Sequence, residues 1–429
     1  MAMQVYLVGG AVRDKLLGLP AGDRDYVVVG ATIEEMLSLG YHQVGHDFPV
    51  FLHPETKEEY ALARTERKNG QGYLGFICDF SPDTTLEQDL LRRDLTINAI
   101  AEDNQGKLID PYHGLEDLKH KVLRHVSPAF VEDPLRVLRV ARFAATLHHL
   151  GFTIAPETLA LMKEITASGE LKTLTPERVW TEMVKSLKTS NPEIFIEVLH
   201  FIGALKELLP EVDKLWGVPG PKRWHPEIDS LVHTLMTLHR VSQETTNPVT
   251  RFAMLCHDLG KGLTPKKNWP HHKNHDVLGL IPLEKMCTRL KVPREYYDFA
   301  KIVVFHHSYI HHLYRDGAQG VVNLLNQLDA WRRPERIRPW ILCCRCDFLG
   351  RKGFEVRPFP RADYLYEIFQ LCLGVTAQEF VKQGLKGAAI KEAMYQRRIK
   401  LTEDFMSTLP SSELDDTAYI MPAAETFTD

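Results

Sequence analysis

The stretch 21–30, AGDRDYVVVG, sets two carboxylates, Asp23 and Asp25, at the mouth of an unbroken apolar run. Val27, Val28 and Val29 read as a strand closed by Gly30, because a short continuous apolar run bounded by turn signals suits a strand covered on both faces. Side chains at i and i+2 of a strand share a face, so Asp23 and Asp25 converge while Arg24 turns away. Two neighbouring carboxylates repel, and Mg2+ relieves that repulsion while sharing its shell with phosphate oxygens. A polar turn capping a strand is the plainer reading of the same pair.

The flanks favour the metal. VYLV (5–8) reads as a strand, and GGAVRD (9–14) couples it through two glycines to a short helix. Backbone N–H groups there can face an anion, and Arg13 adds a bidentate phosphate ligand. EEYALAR (58–64) and LTINAIAED (95–103) read as further strands, with Thr32 capping a helix between them and the first pair. LLRRDLTINAIAED (90–103) brings more cations beside a strand. In EDPLRVLRVARF (132–143), Arg136, Arg139 and Arg142 recur at intervals of three and share one helix flank. They suit either surface ion pairs or a row that meets phosphates and base edges.

The whole chain sets wide bounds. Its 429 residues allow about three domains. Apolar content of 44% and charged content of 25% are ordinary for a globular protein. A net charge of −4 gives no global positive field, so any polyanion must be held by local basic patches. The seven cysteines, the absence of an N-terminal leader pattern and the lack of a long apolar run predict a cytoplasmic protein with no membrane span. Cys343 and Cys346 have CxxC spacing without a second pair, which favours buried helix cysteines over a metal site. From Asp133 onward helical periodicity replaces strand signals. WGVPGPKRWHP (216–226) and RKGFEVRPFPR (351–361) mark further boundaries, and the acidic end is expected to fray.

Six stretches taken together, LVGGAVRD, GDRDYVVVG, RRDLTINAIA, DPYHGLEDL, EDPLRVLRVARFA and TPERVWTE, resemble the successive motifs of bacterial CCA-adding enzymes. These are class II tRNA nucleotidyltransferases of the polymerase beta-like superfamily. The resemblance covers roughly residues 3 to 220. It implies an α+β chain: a nucleotidyltransferase head with a small mixed sheet (1–140), then a helical neck and body (141–222). It also implies template-independent addition of C, C and A to the tRNA 3′ end from CTP and ATP. Asp23 and Asp25 would hold Mg2+. Gly10, Arg13, Arg93, Arg139 and Arg142 would contact the nucleotide. Asp133 and Arg136 would read the base edge, a carboxylate accepting from an exocyclic amine while a guanidinium donates. Uracil and guanine would leave those groups mismatched. The tRNA 3′-hydroxyl would attack the α-phosphate in line. Glu59 is a candidate third carboxylate. RTERKNGQGYLG (64–75) resembles the loop that CC-adding relatives lack, which favours addition of the final A.

LCHDLGKG (255–262) is the second strong motif. His257 and Asp258 offer one nitrogen and one oxygen to a single ion, and His233 and Asp347 are candidate partners. Mixed nitrogen and oxygen ligation suits a transition metal better than Mg2+. The order His…His-Asp…Asp resembles the all-helical HD superfamily of metal-dependent phosphohydrolases. Lys261 fits its extended motif, and His275, His306 and His307 resemble the extra ligands of two-metal relatives. His148, His149, His311 and His312 read as surface or core histidines, while His271 and His272 stay open between site and surface. An HD domain at 223–350, followed by a helical region at 351–429, matches the subset of CCA-adding enzymes with such a domain. That resemblance implies 2′,3′-cyclic phosphodiesterase, 2′-nucleotidase and phosphatase activities, with Ni2+ favoured for the last. Two competitors remain: a bacterial poly(A) polymerase, and an HD nucleotide hydrolase whose head binds tRNA without catalysis. Monomer and homodimer are both compatible with the sequence.

Overall fold

The computed structural model describes residues 3–20, 22–44, 49–68, 76–222 and 225–415. The glycine-rich stretch 69–75 and the acidic end from 416 onward lie outside the described residues, so the expectations for that part of the 64–75 loop and for the frayed tail stay there. The chain forms two compact units, residues 1–186 with 194–208, and residues 187–193 with 209–429. Residues 209–222, expected with the neck, thus cluster with the C-terminal half.

The first unit carries one mixed sheet. Its strands are β1 (Gln4–Val8), β2 (Asp25–Val29), β3 (His42–Val44), β4 (Val50–Leu52), β5 (Glu59–Leu62), and, after a separate hairpin of β6 (Thr65–Lys68) and β7 (Phe76–Asp79), β8 (Ala101–Glu102) and β9 (Leu108–Ile109). The sheet order is β3-β4-β5-β2-β1-β8-β9. β2 pairs antiparallel with β1 and parallel with β5. Its apolar run is buried from both sides: Val27 and Val29 join one core cluster with Val8, Leu86 and Leu90, whereas Val28 joins another with Met36, Phe51 and Leu62. Burial on both faces is the reason the run does not alternate.

One expected strand is a turn. Across 95–103 only Ala101–Glu102 forms a strand, and Thr96–Asn98 winds into a 3-10 turn. The Asp94 carboxylate accepts from Leu95 N and from Asn98 Nδ2, closing that turn with side-chain bonds that the apolar pattern does not reveal. The arginine segment is helical as expected, over Leu135–Leu147, with Val137, Leu138, Val140 and Ala141 buried.

The second unit is helical. Ser230–Glu244, Pro248–Cys256, His275–Arg289, Arg294–His306 and Ile337–Leu349 are its site-bearing helices. Asp229 caps the first, accepting from Leu231 N and Val232 N. Cys343 and Cys346 are buried on the last, and burial pushes both thiols up. Among the described residues no helix is long and apolar enough to cross a membrane.

Candidate functional site

In the first unit a cleft of about 630 Å³ is lined by Gly9, Gly10, Arg13, Asp25, Arg93, Asp94, Asn98, Asp133, Arg136, Arg139, Arg142, Phe143 and Arg178, among others. Asp25 opens β2 and is the register partner of Glu59 on β5. Burial raises the Asp25 carboxyl pKa, the Glu59 and Asp23 charges raise it further, and Arg93 opposes them. Carboxylates that raise one another in this way suit a divalent cation. Asp23 lies just before β2 rather than on it, and is exposed. Gly9 stands at φ 72. A Cβ there would lie 3.2 Å from Arg93 Nη1, so glycine permits both the turn and the close approach of that guanidinium.

The cleft's cations are held by a chain of polar partners. Arg13 Nη1 donates to Asn98 Oδ1 at 2.7 Å, Asn98 donates to Asp94 at 3.0 Å, and Arg139 Nε donates to Asp94 Oδ2 at 2.6 Å. Burial works against ionised Asp94, but Arg139 and the Asn98 and Leu95 hydrogen bonds hold its carboxyl well below the usual range. Arg142 Nε donates to Glu182 Oε2 at 2.6 Å. The Phe143 ring lies 5.1, 5.6 and 4.2 Å from the guanidinium carbons of Arg13, Arg139 and Arg142. One aromatic ring thus packs against three of the cations.

The two base-reading candidates are engaged differently. Asp133 pairs with Arg178 Nη2 at 3.0 Å. Arg136 is buried and donates to the carbonyls of Ala129 and Arg92, so its guanidinium braces the backbone on the cleft wall. Asp94, Asn98 and Arg178 lie inside sequence motifs quoted above, but nothing in their spacing marked them as lining the cleft.

The second unit gathers His233 and Asp347 from two helices, and His257 and Asp258 from the turn that follows a third, Pro248–Cys256. His233 Nε2 lies 2.9 Å from Asp347 Oδ1 and 3.8 Å from Asp258 Oδ2. His257 Nε2 lies 3.3 Å from Asp258 Oδ2 and 3.7 Å from Asp347 Oδ1. His275 Nε2 and His307 Nε2 lie 3.5 and 3.6 Å from Asp258 Oδ1. Three of these rings are oriented alike. The Nδ1 atoms of His257, His275 and His307 reach the carbonyls of Met254, His272 and Val303 at 2.7, 2.9 and 3.1 Å. With each Nδ1 directed at a backbone carbonyl, each Nε2 is turned toward Asp258, the direction a metal ligand requires.

Glycine lets these elements approach. A Cβ on Gly260 would lie 1.8 Å from the His275 carbonyl, so the turn after Asp258 meets the start of the His275 helix only without a side chain. His257 Nε2 and Asp258 Oδ1 are buried with no hydrogen-bond partner. Orphaned donor atoms of this chemistry fit a transition metal. Burial opposes charge on His257, yet the facing Asp258 and Asp347 carboxylates hold its pKa at about 10. Burial lowers His275 and His311 to about 4, leaving their rings neutral at neutral pH. Two possible ligand groups, His233 with His257 and Asp258, and Asp258 with His275 and His307, share Asp258.

A cavity of about 230 Å³ lies over this cluster. Its lining includes His275 and His307 but not His306, which packs against Phe305 at 4.7 Å between ring centroids and is held low, to about 4, by burial. His311, expected at the surface or in the core, lies 3.3 Å from Asp347 Oδ2 and lines the cavity. His272 lines it as well, bonded to Thr264 Oγ1 and to the Pro219 carbonyl. His225, Glu227 and Arg351 had no marking spacing. Glu227 Oε1 lies 3.0 Å from His225 Nδ1 and 2.8 Å from His233 Nδ1.

Comparison with known proteins agrees with both units' architecture. The family model described as "Poly A polymerase head domain" matches residues 5–124, and "Probable RNA and SrmB- binding site of polymerase A" matches 151–215. A "Multifunctional CCA protein" of Mannheimia succiniciproducens is 57% identical over 401 residues, 92% of this chain and 96% of its own length. Among solved structures, a Thermotoga maritima CCA-adding enzyme complexed with tRNA aligns over 96% of this chain and 90% of its own, at 21% identity and TM-score 0.61. A Bacillus stearothermophilus CCA-adding enzyme in complex with CTP aligns over 94% of this chain and 89% of its own, at 24% identity and TM-score 0.60.

Proposed function

This chain belongs to the family of multifunctional CCA proteins, and on that premise we propose that it adds C, C and A in order to the 3′ end of tRNA. CTP and ATP are the donors and pyrophosphate is released. The observation that carries this reading is the first-unit cleft, where the Asp25 carboxylate, with Glu59 as its register neighbour, meets a wall of guanidinium groups. Asp23, Asp25 and, beside them, Glu59 would hold Mg2+, which lowers the charge barrier between triphosphate and attacking hydroxyl. Arg13, Arg93, Arg139 and Arg142 bind the triphosphate, with Gly10 keeping the backbone close. Asp133 and Arg136 shape the base pocket, and Arg178 holds Asp133 in it. Because Arg136 bonds to backbone carbonyls, its part is to fix the pocket wall until nucleotide binding redirects it.

The second unit acts, in this reading, as an HD phosphohydrolase on 2′,3′-cyclic phosphates and 2′-phosphates. His233, His257, Asp258 and Asp347, with His275 and His307, would hold Ni2+ or another transition metal, which activates water for attack on phosphorus. His306 is left out of that set. One polypeptide would then clear a damaged tRNA end and rebuild it. The finer division into head (1–140), neck and body (141–222, of which 209–222 cluster with the second unit), HD domain (223–350) and C-terminal helices (351–429), a cytoplasmic setting, and a monomer or homodimer are parts of this proposal.

One assay tests the first half. tRNA lacking CCA is given CTP, ATP or both, and the products are sized. Ordered CCA supports the proposal; a long A tract supports a poly(A) polymerase; no addition leaves a tRNA-binding head. Hydrolysis of 2′,3′-cyclic AMP by the Asp258→Ala variant at the wild-type rate would remove the second half.

A further inference from the structure

We propose that Arg351 is the side chain that binds the substrate phosphate in the histidine-rich cavity, the ligand being the phosphomonoester or cyclic phosphodiester of a single terminal nucleotide. This rests on the phosphohydrolase reading and extends it to a residue outside the metal set.

Arg351 is 4% exposed and lines the cavity. Its Nη2 lies 3.1 Å from His311 Nε2 and 3.5 Å from Asp347 Oδ2, while its Nε is buried without a partner. The 3.5 Å contact is at the outer limit of a hydrogen bond, and the same Asp347 Oδ2 is approached by His311 Nε2 at 3.3 Å. The guanidinium is therefore desolvated and under-bonded. A buried donor left unmatched costs on the order of 1–3 kcal/mol, more when charged, and an oxyanion seated in the cavity removes that cost. The planar fork suits two phosphate oxygens at once. Phe348 and Phe354, with ring centroids 5.7 and 6.0 Å from the guanidinium carbon, fix its plane.

The other cation of the cavity is committed. Lys261 Nζ lies 2.7 Å from Asp258 Oδ2 and 3.4 Å from His225 Nε2. Charge balance makes the same point. The charged lining residues are Asp258, Asp347, Lys261 and Arg351, two of each sign. A divalent cation tips this balance positive, which a phosphomonoester dianion offsets fully and a cyclic phosphodiester monoanion by half. At about 230 Å³ the cavity falls below the range of sites that enclose drug-sized ligands, so it admits a phosphate with its ribose rather than a length of chain. Opening the cyclic ester adds one water across a P–O bond. Arg351 holds the non-bridging oxygens, which persist from ester to product.

The test uses full-length, Ni2+-loaded wild type with Arg351→Gln and Arg351→Lys. Inorganic phosphate binding is measured by calorimetry, metal content by mass spectrometry, and turnover on 2′,3′-cyclic AMP. In Arg351→Gln, phosphate affinity and kcat/KM should both fall roughly 10- to 100-fold, with metal content unchanged and partial recovery in Arg351→Lys. Unchanged phosphate affinity in an active enzyme overturns the inference. Loss of bound metal in both variants also overturns it, making Arg351 a positioning residue for Asp347. A wild type that neither binds phosphate nor opens the ester instead defeats the phosphohydrolase reading, and this inference falls with it.

Discussion

Asp25 and Glu59 stand side by side as register partners on the parallel strands β2 and β5. Glu59 is the leading charged neighbour raising the Asp25 carboxyl, after burial itself. Two carboxylates held this close in one sheet tolerate joint ionisation far better with a cation between them. Asp25→Ala should abolish incorporation from both CTP and ATP. Glu59→Gln should keep some turnover but raise the Mg2+ concentration for half-maximal incorporation by about tenfold or more. Mg2+ titrations on tRNA lacking CCA decide it; an unchanged Mg2+ dependence removes Glu59 from the metal set.

The ion pair between Asp133 and Arg178, at 3.0 Å, offers a way to test base choice against tRNA affinity. Asp133→Ala should blur nucleotide choice more than it weakens tRNA binding. Arg178→Gln frees the Asp133 carboxylate and should relax choice in the same direction, within the roughly 1–3 kcal/mol that one bidentate base contact contributes. Rates of UTP and CTP incorporation, compared with the tRNA dissociation constant, measure both effects. Equal losses for all nucleotides would make Arg178 a purely structural residue.

Asp94 gives the first unit an acid-sensitive joint. Its folded pKa is depressed, so the Asp94–Arg139 pair contributes stability above the unfolded carboxyl pKa of about 3.9, and that contribution fades as pH falls toward the folded value. Asp94→Asn should cost about 2 kcal/mol at pH 7, a modest figure because Arg139 is 35% exposed. The difference between wild type and variant should shrink as pH drops below about 4. Urea midpoints across pH 3–7 test the sign; a gap that widens in acid contradicts it.

These residues also mark where sequence reading stops. Asp25, in the first cleft, and Asp258, under the second cavity, were legible because each belongs to a short local motif at the end of a regular element, whereas Asp23 lies before β2 and is exposed. Val27–Val29 was legible because its two-sided burial leaves an unbroken apolar run. The 95–103 segment was misread as a strand, since the Asp94–Asn98 bond that closes its turn is a side-chain event. His311 was set aside because a 3-10 segment over His307–His312, rather than a helix of regular period, carries it to Asp347. Glu227 follows directly on the linker 216–226, where no periodicity singles it out.

Glu227 offers the most direct check on the second unit. Burial opposes its charge, but His225 and His233 hold its carboxyl well below the usual range. Its neighbour Ile228 sits at φ 64, a left-handed conformation that a β-branched residue adopts only when its surroundings enforce it. Ile228 O accepts from Gly220 N, and Asp229 caps the helix that carries His233. This strained corner therefore holds Glu227 against the Nδ1 side of His233 while Nε2 faces Asp347. A carboxylate behind a ligating imidazole fixes its tautomer and raises its basicity. Glu227→Ala should weaken Ni2+ affinity about 10- to 100-fold, read by competition with a chelator. Glu227→Gln, which keeps an acceptor without the charge, should fall between. CCA addition by the first unit should be unaffected by either change, and a metal affinity equal to wild type in Glu227→Ala would deny Glu227 its orienting role.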